Sequence, residues 1–90
     1  DLFSLGVTLY ELLTGDVPFK GDTIAELMTA ITEQQPRKIS TLRPGMPSAI
    51  DAFIDKALAK QPENRFTDGD DMAFALREAV SAMFGRAANE

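Results

Sequence analysis

The first segment of the chain, from Leu2 to Leu13, carries apolar side chains on nearly every face of the helix that its spacing predicts. Its large apolar residues are Leu2, Phe3, Leu5, Val7, Leu9, Tyr10, Leu12 and Leu13. A helix that is apolar all round belongs inside a larger body. Thr14 and Gly15 end it, and Pro18 cannot continue it. We therefore expect that the rest of this chain cannot cover the first helix completely.

Three further segments repeat apolar residues with the period of an amphipathic helix, which predicts helices over 23–34, 48–60 and 68–84. Thr23 and Glu26 have the spacing of a capping box, and Ser48 and Thr67 are the expected caps of the later two helices. The apolar stripes are Ile24, Leu27, Met28 and Ile31 in the second helix; Ile50, Phe53, Ile54, Ala57 and Leu58 in the third; and Met72, Ala75, Leu76, Ala79, Val80 and Met83 in the fourth.

The stretches between these helices lack a helical or strand period. Residues 35–47 contain three prolines and Gly45, which predicts an ordered loop. The polar side of the third helix is assigned to Asp51, Asp55, Lys56 and Lys60, with Pro62 closing that helix. Gly85 is expected to end the fourth helix before a frayed tail over 86–90. No segment predicts a strand, so the expected fold class is all-α with four helices over 2–13, 23–34, 48–60 and 68–84.

Composition narrows the possible functions. Fourteen acidic and nine basic residues give a net charge of −5, which disfavours non-specific attraction to nucleic acid. The chain has no cysteine and no histidine, which removes thiolate and imidazole chemistry. The longest apolar run falls short of the roughly 20 residues of a membrane span. Because the chain begins at Asp1 with no leader pattern, we expect it to be part of something longer.

Candidate chemistry within the chain is sparse. Its glycines match neither Gly-x-Gly-x-x-Gly nor the P-loop spacing, so no phosphate cradle is predicted. The acidic cluster at Asp68, Asp70 and Asp71 lacks the glycine and the glutamate of a calcium loop, and acidic residues are stabilised in the first turn of a helix by its dipole. Asp51 and Glu63 are interpreted as solvated surface groups. No catalytic, cofactor-binding or metal-binding residue is expected here.

The opening run DLFSLGVTLYELLTG, followed by Pro18 and Phe19, resembles the central helix of the C-terminal lobe of serine/threonine protein kinases. The run LAKQPENR at 58–65 resembles the Leu-x-Lys-x-Pro-x-x-Arg motif of the same family. The short connections are similar to those of bacterial, eukaryote-like kinases. The resemblance implies a partial kinase domain over 1–84, consisting of C-lobe helices only, with 85–90 as a tail.

The resemblance also implies structural roles for five residues that would support the active site of a parent kinase. Asp1 would hydrogen-bond the backbone of the catalytic loop. Arg65 would pair with the glutamate of an Ala-Pro-Glu motif that this chain lacks; without that partner we expect it to turn to solvent or to recruit another acid. Thr8 and Leu12 would lie under the apolar spine below the adenine pocket, and Gly6 belongs to the same motif.

By that resemblance the parent would transfer the ATP γ-phosphoryl group to protein serine or threonine and would use ATP and Mg, whereas this segment would be an inactive helical scaffold. Its expected partners are the rest of the kinase domain, the parent's protein substrate and, through the exposed first helix, a second copy of itself. The expected location is the cytoplasm or the cytoplasmic side of a membrane-anchored parent. The alternative is a free-standing interaction module, or a pseudokinase remnant, that binds another protein through the second helix and the following loop.

Overall fold

The computed structural model describes residues 1–84, with side chains as far as residue 82, and in that range it is all helical, with no strand. The helices are α1 (Leu2–Thr14), α2 (Ile24–Glu33), α3 (Ile39–Leu42), α4 (Ser48–Ala57) and α5 (Gly69–Phe84), with a 3-10 turn at Pro62–Asn64. The all-α prediction is confirmed. The predicted end at Gly85, the tail over 86–90 and the predicted core position of the Met83 side chain lie outside this description.

Helix α1 begins and ends as its sequence predicts. Asp1 is the N-cap, and its Oδ1 accepts a hydrogen bond from the backbone N–H of Ser4 at 2.9 Å. Gly15 ends the helix with φ of 75°, and its N–H donates to the carbonyl of Glu11 at 2.8 Å. A left-handed residue at this position favours glycine because it has no Cβ to clash.

The core lies between α1, α3, α4 and α5. Its most fully buried large side chains come from α1, α3, α4 and the residue after α4, and they are Tyr10, Ile39, Ile50 and Leu58. The Tyr10 hydroxyl donates to the carbonyl of Arg37 at 2.6 Å, which satisfies the polar end of this buried ring. The Phe53 and Phe66 rings, 5.2 Å apart between centroids, lie in the same core. All five residues of the predicted α4 stripe are buried.

Helix α2 begins at the predicted capping box, but its predicted apolar stripe is only partly covered: Ile31 packs against the core, whereas Ile24 and Met28 face outward. Thr23 Oγ1 accepts from the N–H of Glu26 at 3.1 Å, and the Glu26 carboxylate accepts from the N–H of Asp22 at 3.0 Å. Ile24 is 80% exposed and Met28 is 63% exposed. Periodicity predicted the helix correctly, but no other described element covers Ile24 and Met28.

The predicted loop over 35–47 contains an additional short helix, α3, so the prediction of four helices was one too few. Asp51 on α4 stabilises its start, because this carboxylate accepts from the N–H of Ser40 at 3.1 Å and from its hydroxyl at 2.5 Å. The interpretation of Asp51 as a solvated surface group is therefore wrong, since the residue is buried. Ser40 lies eleven positions from Asp51, so no local sequence pattern indicated this pairing.

Two caps and one boundary also differ from prediction. Pro47, not Ser48, is the N-cap of α4, and no side chain bonds there. At α5 it is Asp68 whose Oδ1 accepts from the N–H of Asp71 at 2.8 Å, while Thr67 donates to Asp71. Helix α4 ends at Ala57, so Lys60 lies beyond it, half-buried, and not on its polar side.

Candidate functional site

One exposed stripe of α1 carries three of the five residues predicted to support a kinase active site. Asp1, Leu5, Thr8 and Leu12 follow one another at intervals of four, three and four residues, which places them on one helix face. Leu5 is 48% exposed, Leu12 is 76% exposed, and Asp1 and Thr8 are also exposed. We call these four residues the α1 outer face. The prediction that this helix cannot be covered by its own chain is confirmed for Leu5 and Leu12.

The polar members of the α1 outer face bond within their own helix. Asp1 caps α1 through Ser4, and the Thr8 hydroxyl donates to the carbonyl of Ser4 at 3.1 Å. One oxygen of Asp1 is named in that cap, and a carboxylate has acceptor capacity for further donors. The role of Asp1, Thr8 and Leu12 toward a catalytic loop or spine remains a prediction.

Gly6 lies on the opposite, buried face of α1. A Cβ built at this position would lie 3.0 Å from the Cβ of Ala57 and 3.1 Å from Cδ2 of Leu58. Both distances are shorter than ordinary van der Waals contact. Gly6 therefore permits the close approach of α1 to the end of α4, which sets how the α1 outer face is presented.

Arg65 is half-buried beside the start of α1. Its Nε donates to the carbonyl of Ala59 at 2.7 Å, one terminal nitrogen donates to the carbonyl of Lys60 at 3.4 Å, and its Cζ lies 4.5 Å from the Phe3 ring centroid. Within the described residues, no carboxylate forms an ion pair with it. The expectation that Arg65 turns to solvent or recruits an acid is wrong, because two carbonyls and an aromatic face hold the guanidinium instead.

The sequence reasoning missed two residues that adjoin this arrangement. Phe19 stacks on Phe3, with centroids 6.1 Å apart and planes 8° apart, and the Lys60 amine lies 4.5 Å from the Phe19 centroid. Phe19 and Lys60 both lie in the two kinase-like motifs, so those motifs could have identified them. Lys60 was missed because it was assigned to the polar side of a helix.

The titratable groups with altered pKa values belong to local structure. Burial raises the pKa of Tyr10, and the nearby Asp16 carboxylate adds to that effect. The hydrogen bond from Lys20, at 3.0 Å, lowers the pKa of Asp16. Neither group faces the α1 outer face, so neither indicates acid–base chemistry there.

The part of the chain that the structure describes contains no group of three or more histidine, cysteine, aspartate or glutamate residues able to hold a metal ion. Among residues 1–84, no helix combines the length and the apolar character needed to cross a bilayer.

The sequence comparisons show that the chain matches a segment of bacterial serine/threonine protein kinases, and its described residues are all helical. It is 40% identical over 81 residues to serine/threonine-protein kinase PknE of Mycobacterium tuberculosis, covering 90% of this chain and 14% of that kinase. It is 36% identical over 81 residues to PknH of Mycobacterium bovis, covering 90% and 14%. A probable kinase, PknB of Lactococcus lactis, is also 36% identical over 81 residues, covering 90% and 13%. The chain thus spans about one seventh of the length of these relatives. No protein-family model matches it.

Proposed function

We propose that this chain is the helical scaffold of the C-terminal lobe of a bacterial-type serine/threonine protein kinase. The intact kinase transfers the ATP γ-phosphoryl group to protein serine or threonine with Mg, and it acts in the cytoplasm or on the cytoplasmic side of a membrane. This segment holds neither nucleotide nor metal. Its contribution to the rate is positional, because it fixes the surface on which the reacting groups are oriented.

The α1 outer face is the observation that carries this proposal. Its leucines lie on a helix that is otherwise packed against α3 and α4, and exposed apolar residues that follow one helix face are typical of a surface that a further element covers. In the intact kinase that further element is the rest of the domain. Asp1 and Thr8 supply hydrogen-bonding groups on the same face.

The test compares one substitution in two contexts. In this chain alone, Leu12→Gln is expected to leave the free energy of unfolding within about 0.5 kcal/mol, because Leu12 is 76% exposed. In the full-length parent, the same change places an amide in a covered apolar site and is expected to lower phosphoryl transfer roughly tenfold or more and to destabilise the domain by about 2 kcal/mol.

The matched control is Ile24→Gln, since Ile24 is equally exposed but lies on α2. It should leave transfer of the γ-phosphoryl group to a generic protein substrate unchanged in the parent. A parent without phosphoryl transfer, or one in which Leu12→Gln and Ile24→Gln have the same effect, would contradict the proposal.

The second candidate function is a free-standing module that binds another protein through α2 and the following loop. The exposure of Ile24 and Met28 supports it, because the two side chains lie one helical turn apart on one face. If this function holds, a double variant Ile24→Gln, Met28→Gln should abolish partner capture by this chain while Leu12→Gln leaves capture unchanged. The scaffold function predicts no such capture by the isolated chain.

A further inference from the structure

Lys60, which lies in the segment after α4, caps the C-terminal end of α2. Its Nζ donates to the carbonyl of Ile31 at 2.7 Å, to that of Ala30 at 3.5 Å, and to that of Gln34. An ammonium group has three N–H donors, and it meets three acceptors here. The Phe19 ring covers the same amine at 4.5 Å.

Helix α2 closes this end itself with one backbone hydrogen bond, from the N–H of Gln34 to the carbonyl of Ala30 at 2.9 Å, and with no side chain of its own last turn. The last carbonyls of a helix have no partner within the helix, and its C-terminus carries a partial negative charge. The last turn of α2 contains no basic residue and ends at Glu33, which adds a further negative charge. A cation supplied from the segment after α4 therefore offsets both deficits.

The remaining attachment of α2 to the molecule is slight. Of its ten residues, all of which the structure describes, Ala30 is the only one buried. On the side facing α1, Leu27 and Ile31 border an apolar cleft of about 210 Å³ that Phe3 and Phe19 also line. Helix α2 packs loosely on the side facing α1 and meets solvent on the other side. The hydrogen bonds of Lys60 are therefore its main polar connection to the other described helices.

We propose that Lys60 is the residue that positions α2, and that α2 detaches as one unit, with the other helices still packed, when the charge at residue 60 is lost. Local opening of weakly attached units is a general property of folded chains. The contacts above carry this inference. Its consequence for partner binding rests on the second candidate function, because Lys60 then fixes the direction in which Ile24 and Met28 face.

Amide hydrogen exchange of this chain tests the proposal. In Lys60→Met, which keeps the length of the stem but removes the charge and all three donors, the amides of residues 27–34 should exchange roughly 10- to 100-fold faster. Those of α4 should stay within about threefold of the unsubstituted chain. Lys60→Arg should restore most of the protection, since a guanidinium can donate to several carbonyls and stack on an aromatic ring.

The matched control is Lys56→Met. The Lys56 amine also lies over an aromatic ring, that of Phe66 at 5.1 Å, but Lys56 belongs to the last turn of α4. It should leave exchange in α2 unchanged. Equal acceleration of α2 and α4 in Lys60→Met, complete unfolding of that variant, unchanged exchange in α2, or no rescue by arginine would each overturn the proposal. Because no phosphoryl transfer is measured, none of these outcomes bears on the kinase assignment.

Discussion

Gly6 shows how one residue decides the spacing of two helices. Glycine in a helix interior costs about 1 kcal/mol relative to alanine, so its presence in α1 needs a compensating gain. That gain is the approach of α4, where Ala57 and Leu58 would lie at 3.0 and 3.1 Å from an added Cβ. Ala57 Cβ is fixed to the α4 backbone and cannot rotate away, so the helices themselves would have to separate.

Gly6→Ala is therefore expected to destabilise the chain although it improves helix propensity. Overpacking costs about 1 to 3 kcal/mol, which exceeds the propensity gain and leaves a net loss of about 1 kcal/mol in the free energy of unfolding. Urea denaturation measures this loss. Gly69→Ala is the control, because no atom lies within 4 Å of its added Cβ, and it should be neutral or stabilising. A Gly6→Ala variant as stable as Gly69→Ala would contradict the argument.

Arg65 shows where reasoning from a motif stops. The motif identified the residue, but the prediction of its partner assumed that only an acid or water can satisfy a guanidinium. Carbonyls of Ala59 and Lys60 do so here, and the Phe3 ring covers its face. Those carbonyls are available because α4 ends at Ala57 and the next residues turn, a boundary that periodicity misplaced by three residues.

At the scale of elements, the sequence predicted a helix well where its apolar stripe is buried, as in α4. It missed α3, because four residues cannot show a period and the stabilising carboxylate of Asp51 comes from another helix. It also could not tell that Ile24 and Met28 of the α2 stripe face solvent while Ile31 packs against the core. Periodicity identifies an apolar face, but only the packing of the other elements decides whether that face is covered.

The start of α5 makes a prediction about pH. The N–H and hydroxyl of Thr67 donate to the Asp71 carboxylate at 2.9 and 3.2 Å, and these bonds lower the pKa of Asp71 below its ordinary value of 3.8. A lowered folded-state pKa means that the contribution to stability is present above about pH 3.8 and is lost as the pH falls through the folded-state pKa.

Titration of Asp71 followed by NMR should accordingly give a pKa below 3.8 in the folded chain. Thr67→Val removes the hydroxyl donor and keeps the shape of the side chain, so it should move that pKa upward. Ser81→Ala, which removes a hydroxyl ten residues farther along α5, is the control and should leave it in place. If the pKa of Asp71 does not respond to Thr67→Val, the hydroxyl bond does not contribute to the shift.

At the scale of the whole molecule, the α1 outer face is the feature that supports the proposal that this chain is part of a larger domain. The five predicted support residues do not form one cluster: Asp1, Thr8 and Leu12 share that face, Gly6 lies behind it, and Arg65 adjoins Phe3. The sequence could predict that Asp1, Gly6, Thr8 and Leu12 share one helix because their motif is contiguous, whereas Arg65 belongs to a separate motif. It could not predict this division, which follows from the helix period and from the position of α4.

The exposed leucines of the α1 outer face predict that the isolated chain associates with itself as its concentration rises. Leu5→Gln with Leu12→Gln should return the light-scattering mass to that of one chain, because glutamine keeps helix propensity and removes the apolar contact. The control is Ile24→Gln with Met28→Gln, which removes two exposed apolar side chains from α2. If association depends on α1, this second pair leaves it unchanged.

The two double variants separate three explanations of the apolar surface. Loss of association only in the α1 pair means that a second copy occupies the α1 outer face. Under the proposed scaffold function the rest of a kinase domain covers the same face, so adding that part should displace the second copy. Loss of association only in the α2 pair means that α2 carries the surface for self-association. Because Lys60 positions α2, Lys60→Met should then alter association as well. A mass equal to one chain at high concentration, without any substitution, would refute the self-association prediction. The isolated chain would then be stable as a monomer with Leu12 exposed to solvent.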